Sequence, residues 1–377
     1  MRILLSNYLE TTAAGGINTT VSRVSKSLAE RGHTVRVFQA NPAGKTRHES
    51  LDGFEIHRTG DQRHNRLYGF DPGLRAPIES YVRDTNPQLI HVHGYHTLFS
   101  PEVIFMVKRI APSVPVVFSP HLGPTSHNTW AGAYAWNAYA GLISRWLRKS
   151  VDRIVADSSY ERAIITESLG FPKERVTVIG LGVERIEQTP KGPREGTPRL
   201  LYAGYLNKYK GVDYVIKTLH SLKTRLRMDA RLTIIGEGDY EDELRRLVAR
   251  LGLEGSVKWR DFVPYGELLD AMRQADIFLQ LSRCEAFGVV VAEALASGTP
   301  AIVARTTALA EFASEPGCFV VDWPPDPDIV AELVARLWSD SPQVGPFTER
   351  IRTWDSVALE YEKLYRAFTM RGSGGEP

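Results

Sequence analysis

The sequence predicts an α/β protein with two doubly wound domains, each a largely parallel sheet covered by helices on both faces. Short apolar runs alternate with helical periodicity through the first half of the chain. A stretch rich in proline and glycine interrupts this alternation, which then restarts. The length of 377 residues also fits two domains, at roughly 100–200 residues per domain.

The first domain begins with a strand–helix–strand unit. Residues 2–6 form an apolar run, residues 19–31 carry helical periodicity up to Gly32, and residues 34–38 form the next apolar run. This length is about the minimum for a crossover between parallel strands. The other elements predicted here are strands at residues 89–93, 115–119, 153–157 and 176–179, and a helix at residues 100–110.

The joint between the domains is predicted at residues 189–198. These residues include three prolines and two glycines, a composition that sustains neither a helix nor a central strand. The elements predicted beyond the joint are strands at residues 200–203, 231–235, 257–259, 277–281 and 301–304, and helices at residues 241–251, 265–274 and 357–368. Residues 371–377 are expected to be a frayed tail.

Composition limits the class of protein. Hydrophobic residues make up 43% of the chain and charged residues 24%, as in soluble globular proteins. No apolar run approaches the roughly 18 residues that span a bilayer, and the apolar start turns polar too early for a signal peptide. Two cysteines provide neither a disulfide framework nor a cysteine zinc site. We therefore expect a cytoplasmic protein, and the net charge of +2 argues against nucleic-acid binding.

The sharpest functional signal is a pair of glutamates. Glu293 lies inside an otherwise apolar predicted helix, residues 288–297, where a carboxylate is rarely tolerated without partners. Glu285 precedes that helix, with seven residues between the two carboxylates. The spacing suits two groups that bind hydroxyls at either end of an extended ligand, with a diphosphate between them at the helix N-terminus. A buried glutamate held in a salt bridge is the alternative interpretation.

Two loops that contain glycine are weaker candidates for anion binding. Gly15 and Gly16 follow the first predicted strand and open a helix, although their pattern lacks the dinucleotide-binding fingerprint. Lys208 and Lys210 follow the first strand of the second domain, at the sheet edge where ligands bind in such folds. Ordinary solvated turns are the alternative for both loops.

A set of histidines lies near two predicted strand ends. His91 and His93 share one face of a strand, His96 follows them, and His121 comes after the next strand. Nothing in the sequence completes the three or four converging ligands of a metal site, so no metal is expected. His121 is instead a candidate for the crevice between the domains.

The front of the chain is basic. Residues 1–150 carry 17 Lys and Arg against 10 Asp and Glu, which suits an anionic acceptor or membrane surface as a partner. An ordinary difference in charge between the halves of a protein is the alternative interpretation. Within this part, residues 127–149 combine five aromatic residues with Arg145, Arg148 and Lys149. A helix of this composition can lie on a membrane surface, or it can be a core helix with basic residues at its carboxyl end.

The region around the two glutamates resembles a known family. Residues 282–300, SRCEAFGVVVAEALASGTP, are similar to the S-x-x-E-x-F-G-x-x-x-x-E-A-x-A-x-G-x-P signature of the retaining glycosyltransferases of family 4. Weaker matches follow in the expected order between residues 3 and 368, at residues 15–17, 90–94, 115–121, 234–238 and 275–278. Ordered matches along the whole chain are more specific than any single motif.

This resemblance implies the GT-B fold, in which two Rossmann-like domains face a central cleft and a C-terminal helix near Trp354 crosses back to the first domain. The implied segments are an acceptor domain at 1–188, a linker at 189–198, a domain that binds nucleotide sugar at 199–350, a crossover helix at 351–370 and a tail at 371–377.

The resemblance also implies roles for single side chains toward a nucleotide-diphosphate sugar. Glu293 would hold the ribose hydroxyls, Glu285 would meet the donor sugar, and Lys210 would pair with the diphosphate. His121 would contact the donor sugar near the reacting centre, and Gly16 would approach the phosphate from the first domain. The other implied donor-binding residues are Lys208, Gly236, Phe287, Gly288 and Val289, and the acceptor-side candidates are Gly15, His93 and Tyr95.

Tyr205 departs from the family pattern. Similar proteins carry an arginine at this position that pairs with the diphosphate, and Lys208 is the candidate to replace its charge. The implied activity is retaining transfer of a sugar to the hydroxyl of a glycan, lipid or small-molecule acceptor, without a metal or other cofactor. Two rival interpretations stay open: an enzyme of the same architecture that acts on sugar phosphates or hydrolyses nucleotide sugars, and a non-catalytic protein that binds nucleotide sugar.

Overall fold

The chain forms two units, a first of Met1–Gly182 with Trp354–Pro377 and a second of Val183–Thr353. A computed structural model describes residues 1–8, 16–41, 46–60, 72–95, 97–122, 141–186, 196–342, 344–345 and 347–369. Several predicted features lie outside these residues, namely Gly15, His96, residues 127–140, most of the joint at 189–198, and the tail at 371–377.

The first unit contains an eight-stranded sheet. Its strands are β1 (Arg2–Asn7), β2 (Thr34–Asn41), β3 (Arg47–Leu51), β4 (Phe54–Gly60), β5 (Leu89–His93), β6 (Val116–Ser119), β7 (Arg153–Ala156) and β8 (Val176–Val178). They lie in the order β3-β4-β2-β1-β5-β6-β7-β8, and only the β3–β4 pair is antiparallel. The described helices of this part are α1 (Gly16–Glu30), α2 (Arg75–Thr85), α3 (Phe99–Ile110), α4 (residues 141–150) and α5 (Ser159–Ala163).

The second unit contains a six-stranded sheet in which every neighbouring pair is parallel. Its strands are β9 (Arg199–Ala203), β10 (Arg231–Ile235), β11 (Val257–Arg260), β12 (Ile277–Gln280), β13 (Ala301–Ala304) and β14 (Cys318–Val321), in the order β11-β10-β9-β12-β13-β14. Its helices are α6 (Val212–Thr224), α7 (Glu241–Arg250), α8 (Tyr265–Gln274), α9 (Val289–Ala296) and α10 (Pro327–Asp340). These two sheets confirm the predicted fold class.

The last helix, α11 (Trp354–Thr369), belongs to the first unit and packs against α1. Ser27 Oγ donates to Asp355 Oδ1 at 2.9 Å, and Arg31 Nε lies 2.6 Å from Glu362 Oε2. Tyr361 on the same helix is fully buried. The predicted return of the C-terminal helix to the first domain is therefore confirmed.

The sequence analysis did not predict three of the strands, β3, β4 and β14. The residues of β3, RHESL, are almost all exposed at the sheet edge, so this strand carries no apolar run that would reveal it. Its partner β4 and the short edge strand β14 were also missed. The chain leaves the first unit after Gly182, earlier than the expected residue 188. Val183 already belongs to the second unit because its N–H donates to the carbonyl oxygen of Arg352 at 2.8 Å.

None of the described helices has the length and apolar character needed to cross a bilayer. Over the described ranges, no group of three or more His, Cys, Asp or Glu side chains is arranged to hold a metal ion. Cys284 and Cys318 are both buried free thiols.

Candidate active site

The strand order of the second sheet reverses at β9, which lies between β10 on one side and β12 on the other. At such a point the connections leave toward opposite faces of the sheet, so the loops diverge and leave a crevice at the carboxyl ends of the strands. The loops in question are residues 204–211 after β9 and residues 281–288 after β12. Both carry residues that the sequence predicts to bind a donor.

Lys210 and Glu285 meet directly at this switch point. The Nζ atom of Lys210 lies 2.7 Å from Glu285 Oε1 and 2.9 Å from Oε2. Glu285 Oε1 also accepts hydrogen bonds from Gln280 Nε2 at 2.8 Å and from Ser282 Oγ at 2.9 Å. The sequence analysis assigned Lys210 to a diphosphate and Glu285 to a sugar, but it did not pair them. Gln280 and Ser282 were missed altogether.

The charge of Lys210 depends on this pairing. Burial by itself lowers the pKa of Lys210, but the negative charge of Glu285 and its hydrogen bond outweigh burial and raise the pKa above its usual value of 10.5. The side chain therefore remains a cation at neutral pH although it is only 14% exposed. A largely buried cation of this kind is suited to an anionic ligand.

Gly211 makes this arrangement possible. Its φ of 69° lies in the left-handed region, and a Cβ atom added to it would lie 1.9 Å from the carbonyl oxygen of Leu281. Only glycine therefore allows the loop after β9 to pack against the end of β12. The Oγ atom of Ser282 also lies 3.3 Å from the carbonyl oxygen of Lys210, so the two loops are in close contact.

Helix α9 begins four residues after Glu285. Gly288 caps it with a φ of 95°, and Val289 is its first residue. Phe287 is buried and meets the ring of Phe312 at an interplanar angle of 70°, with ring centroids 5.8 Å apart. This packing fixes the position at which the first N–H groups of α9 face outward from the helix end.

Glu293 occupies the second turn of α9, where its neighbours Ala292 and Ala294 are fully buried. Its side chain accepts a hydrogen bond at Oε1 from the hydroxyl of Tyr265 at 3.0 Å. The sequence predicted that this buried carboxylate has polar partners, but it gave no reason to choose Tyr265, which lies 28 residues away at the start of α8.

Tyr205, the residue that departs from the expected family pattern, exposes an aromatic surface. Its ring meets Phe262 edge-on, with centroids 5.1 Å apart and an angle of 73°, and both side chains are exposed. Lys208, the candidate replacement for the missing charge, is exposed in the same loop. Gly236 follows β10 and packs closely against the backbone of Gly204.

In the first unit, His121 belongs to a buried polar cluster at the carboxyl ends of β6 and β7. Its Nδ1 atom lies 2.7 Å from Asp157 Oδ2, and its Nε2 atom lies 2.9 Å from His93 Nδ1. Glu161 holds the backbone of Asp157 in position, because its Oε2 atom accepts a hydrogen bond from the Asp157 N–H at 2.5 Å. The backbone of His121 has a φ of 51°, which is strained for a residue other than glycine.

The charges of this cluster are coupled. Burial alone lowers the pKa of His121, but the charge of Asp157, its hydrogen bond and the charge of Glu161 together raise it above 6.5. Burial and then the charge of Asp157 raise the pKa of Glu161 to about 8. The net effect of these groups therefore favours the protonated form of His121.

The sequence analysis did not single out Asp157 or Glu161 for this cluster. One signal could have found Glu161: the pattern Ser158-x-x-Glu161 is a capping box at the start of α5, and Ser158 Oγ accepts from the Glu161 N–H at 3.0 Å. The long-range contact to His121 has no such local signature.

Other predicted residues have simpler surroundings. Tyr95 is fully buried in the core, where its ring packs against Phe118, so we assign it to packing rather than to acceptor contact. Gly16 is the exposed first residue of α1, and a Cβ added there would meet no atom within 4 Å. His91 forms two hydrogen bonds, one between its Nδ1 and the hydroxyl of Tyr365 at 2.6 Å and one between its Nε2 and Ser119 Oγ at 2.8 Å.

Two family models match adjoining parts of the chain. The model described as Glycosyltransferase Family 4 matches residues 14–185, and the model described as Glycosyl transferases group 1 matches residues 184–354. Their border lies next to the border between the two units at Gly182. Together the two models account for nearly the whole chain.

Similar curated proteins align over almost the full length. A glycogen synthase of Mycobacterium tuberculosis (strain H37Rv) is 28% identical over 401 aligned residues, which cover 97% of this chain and 95% of the relative. A phosphatidyl-myo-inositol mannosyltransferase of Mycolicibacterium smegmatis is 25% identical over 371 residues, which cover 96% and 92%.

Solved structures share the fold. A sucrose-phosphate synthase from Thermosynechococcus elongatus superposes with a TM-score of 0.79 at 18% identity and covers 98% of this chain and 99% of its own. The Anabaena protein HepE, solved with UDP-glucose, superposes with a TM-score of 0.69 at 16% identity and covers 98% and 97%. The chain is therefore an enzyme of glycosyltransferase family 4 with the GT-B fold.

Proposed function

We propose that the enzyme transfers a hexose from a nucleotide-diphosphate sugar to an acceptor hydroxyl, with retention of the anomeric configuration and without a metal ion. The observation that carries the proposal is the Lys210–Glu285 pair at the switch point of the second sheet, four residues before helix α9. It offers a cation and a helix N-terminus to a diphosphate, and a carboxylate to a sugar.

The roles of the side chains follow from their surroundings. Glu285 Oε1 accepts hydrogen bonds from three side chains of the protein, whereas Oε2 accepts only from Lys210 among the described contacts. Oε2 can therefore also accept a hydrogen bond from a sugar hydroxyl. Glu293 would accept from the two ribose hydroxyls while Tyr265 orients its carboxylate. Gly236, Phe287, Gly288 and Val289 would bring backbone groups to the donor, and exposed Lys208 would add charge near the phosphates.

In the proposed reaction, the bond between the anomeric carbon and the diphosphate oxygen breaks, and a bond to the acceptor oxygen forms on the same face of the sugar. The proton of the acceptor hydroxyl goes to a phosphate oxygen of the leaving nucleotide. The negative charge that develops on the diphosphate is stabilised by Lys210 and by the N–H groups of α9. This cation supports the proposal that the reaction proceeds without a metal ion.

The names of the relatives suggest which substrates to test first. HepE was solved with UDP-glucose, and several relatives are named as mannosyltransferases, one of which acts on phosphatidyl-myo-inositol. We propose by analogy that the donor is a uridine or guanosine diphosphate hexose. The acceptor would be a glycan or a lipid, and the product would enter glycan or glycolipid biosynthesis.

Product analysis tests the proposal. The enzyme is incubated with UDP- or GDP-hexoses and candidate acceptors, with and without EDTA, and the new glycosidic bond is examined by NMR. We expect a product with the anomeric configuration of the donor and turnover that persists in EDTA. Release of free sugar with every acceptor would favour the hydrolase interpretation, and loss of activity that added metal restores would contradict the metal-free mechanism.

We also propose peripheral membrane contact through residues 127–149. The part of this segment within the described ranges, residues 141–149, presents Leu142, which is 74% exposed, near exposed Arg145 and Lys149. Phe105 on α3 extends the apolar surface, because it is 46% exposed and its ring centroid lies 6.2 Å from that of Trp146. An apolar surface flanked by basic side chains is typical of helices that lie on anionic lipid.

Liposome flotation tests this contact. The wild-type protein is expected to float with vesicles that contain anionic lipid and to bind neutral vesicles less, because the basic residues contribute to the attraction. Leu142→Glu should reduce flotation, whereas Ile329→Glu, a change at an exposed apolar residue of the second unit, should not. Equal flotation of the two variants would contradict the assignment of this surface.

A further inference from the structure

In the buried histidine cluster of the first unit, two polar atoms have no hydrogen-bond partner among the described residues, Nε2 of His93 and Oδ1 of Asp157. Both ring nitrogens of His121 are engaged, Nδ1 with Asp157 at 2.7 Å and Nε2 with His93 at 2.9 Å. Within the described part of the chain, Nε2 of His93 is buried and has no hydrogen-bond partner. A buried nitrogen without a partner is costly unless a ligand or water satisfies it. The hydrogen-bonded chain from Asp157 through His121 therefore ends at Nε2 of His93.

We propose that Nε2 of His93 binds an oxygen of the sugar-transfer substrates, and that His121 and Asp157 are positioning residues that decide whether this nitrogen donates or accepts. The proposal rests on the proposed function for the identity of the ligand, a sugar or acceptor hydroxyl or a phosphate oxygen. The arrangement of the cluster itself does not depend on that function.

The hydrogen bonds of the cluster fix the tautomer of His93. Asp157 is an acceptor toward His121, so His121 carries a proton on Nδ1. When His121 is protonated, its Nε2–H donates to His93 Nδ1, and a neutral His93 then carries its proton on the open Nε2. When His121 is neutral, its Nε2 must accept from His93 Nδ1–H, and the open Nε2 becomes an acceptor. One proton on His121 thus reverses the hydrogen-bonding character of an atom on the neighbouring ring.

The surroundings keep the charge on His121 and off His93. Among the described residues, the titratable groups that act on these two rings are Asp157 and Glu161 from the segment after β7, and His91 from β5, which in turn bonds Tyr365 of α11. Burial, together with the neighbouring charges of His91 and His121, holds the pKa of His93 well below its usual 6.5. When His121 is protonated, the unpartnered nitrogen of His93 is therefore a donor, suited to an oxygen that carries negative charge or a lone pair.

The first test is a titration of the free protein, which needs no substrate. The protein is labelled with ¹⁵N-histidine, and long-range ¹H–¹⁵N spectra report the tautomer of each ring across the pH range. We expect His93 to carry its proton on Nε2 at low pH and on Nδ1 at high pH, with a midpoint above pH 6.5 because Asp157 raises the pKa of His121. Asp157→Asn removes that charge and should move the midpoint to lower pH. A His93 tautomer that stays constant across the titration would overturn the proposal.

The second test separates the two nitrogens of His93. Asparagine places its amide group near the position of Nδ1 and removes the open end, whereas glutamine places an amide near Nε2 and loses the contact with His121. We expect His93→Asn to lower kcat/KM by about tenfold or more, and His93→Gln to retain more activity but to lose the pH dependence set by His121. His48→Gln, at an exposed residue of β3, is the matched control and should behave as the wild type.

The outcomes of the second test are distinct. If His93→Asn raises the KM for the donor, relative to the wild type, more than the KM for the acceptor, the ligand oxygen belongs to the nucleotide sugar. A larger increase in the KM for the acceptor assigns the oxygen to the acceptor. An active wild type with equal activity in His93→Asn and His93→Gln overturns the proposal, provided that both variants unfold cooperatively. A wild type that turns over no nucleotide sugar contradicts the proposed function, while the tautomer titration still decides the inference.

Discussion

Glu293 shows how one buried carboxylate can be maintained in an apolar helix. It is 5% exposed, its neighbours in α9 are fully buried, and Tyr265 donates to its Oε1 atom. A carboxylate of this kind is stabilised only when its oxygens accept hydrogen bonds, and a ribose offers two adjacent hydroxyls.

Glu293→Ala should therefore raise the KM for the donor by about 10–100-fold, because hydrogen bonds to a charged group contribute about 1.5–3 kcal/mol each. The change in kcat should be much smaller, since the ribose lies away from the bond that breaks. Steady-state kinetics with varied donor measure both values. Glu254→Ala, at an exposed residue between α7 and β11, is the control, and an unchanged KM in Glu293→Ala would remove this residue from the site.

In the proposed reaction, Lys210 contributes charge and Glu293 contributes recognition of the donor. Replacement by methionine keeps much of the side-chain volume but leaves the leaving diphosphate without its buried cation. We expect Lys210→Met to lower kcat by about 100–1,000-fold, in the range found when a single electrostatic stabiliser is removed. Lys223→Met changes an exposed lysine in α6 and should have little effect. A similar kcat in both variants would show that Lys210 does not stabilise the leaving group.

At the scale of elements, the close contact between the loop after β9 and the end of β12 determines where Lys210 lies. Gly211→Ala would place a Cβ atom 1.9 Å from the Leu281 carbonyl oxygen, and neither backbone can move away easily. We expect this variant to lose about 3 kcal/mol or more of unfolding free energy, and to lose donor binding.

The matched control is Gly266→Ala in helix α8, where an added Cβ meets no atom within 4 Å. Alanine is favoured over glycine inside a helix, so this variant should be more stable by about 0.5–1 kcal/mol. Denaturant unfolding of both variants checks the pair. Equal stabilities would contradict the close approach at Gly211.

The contact between α1 and α11 carries its own pH dependence. Hydrogen bonds from Arg366 and Arg31 lower the pKa of Glu362 to about 2, from a usual 4.5. A lowered folded-state pKa stabilises the fold above the ordinary value, and this contribution is lost as the pH falls from about 4.5 toward 2. Glu362→Gln should therefore lower the Tm at pH 7, and the difference from the wild type should shrink as the pH approaches 3. Glu79→Gln, in an exposed ion pair with Arg83, should show a much smaller difference at every pH.

The sequence predicted the elements whose residues face a core and missed those that do not. β5 has five consecutive buried residues and was predicted with the correct bounds, whereas the exposed edge strand β3 carries no such pattern. At the candidate site, the signature identified Glu285, Gly288 and Glu293, which lie within one short segment. The partners of these residues, and the support of His121 by Asp157, depend on contacts between distant segments, so no local pattern reveals them.

At the scale of the molecule, the two units differ in how the chain builds them. The second unit is one continuous segment, Val183–Thr353, with its own hydrophobic core around β9, β10 and β12. The first unit needs two segments, because α11 contributes fully buried Tyr361 and Tyr365 to it.

Residues 183–353 expressed alone should therefore unfold cooperatively and bind nucleotide diphosphates, and ligand at about 100 times its Kd should add roughly 2.7 kcal/mol of stability. Residues 1–353, which lack α11, should lose the unfolding transition of the first unit. Circular dichroism and thermal shift with UDP and GDP measure both. A fragment 183–353 without a cooperative transition would show that its core is insufficient.

The return of α11 to the first unit also sets the order of events during synthesis. As the nascent chain leaves the ribosome, the sheet of residues 1–182 emerges first but must wait for its missing helix. The intervening segment can complete its own fold before that helix has been translated. Of the two units, the one whose translation starts earlier is thus completed later, because part of its apolar surface stays uncovered until α11 has been translated.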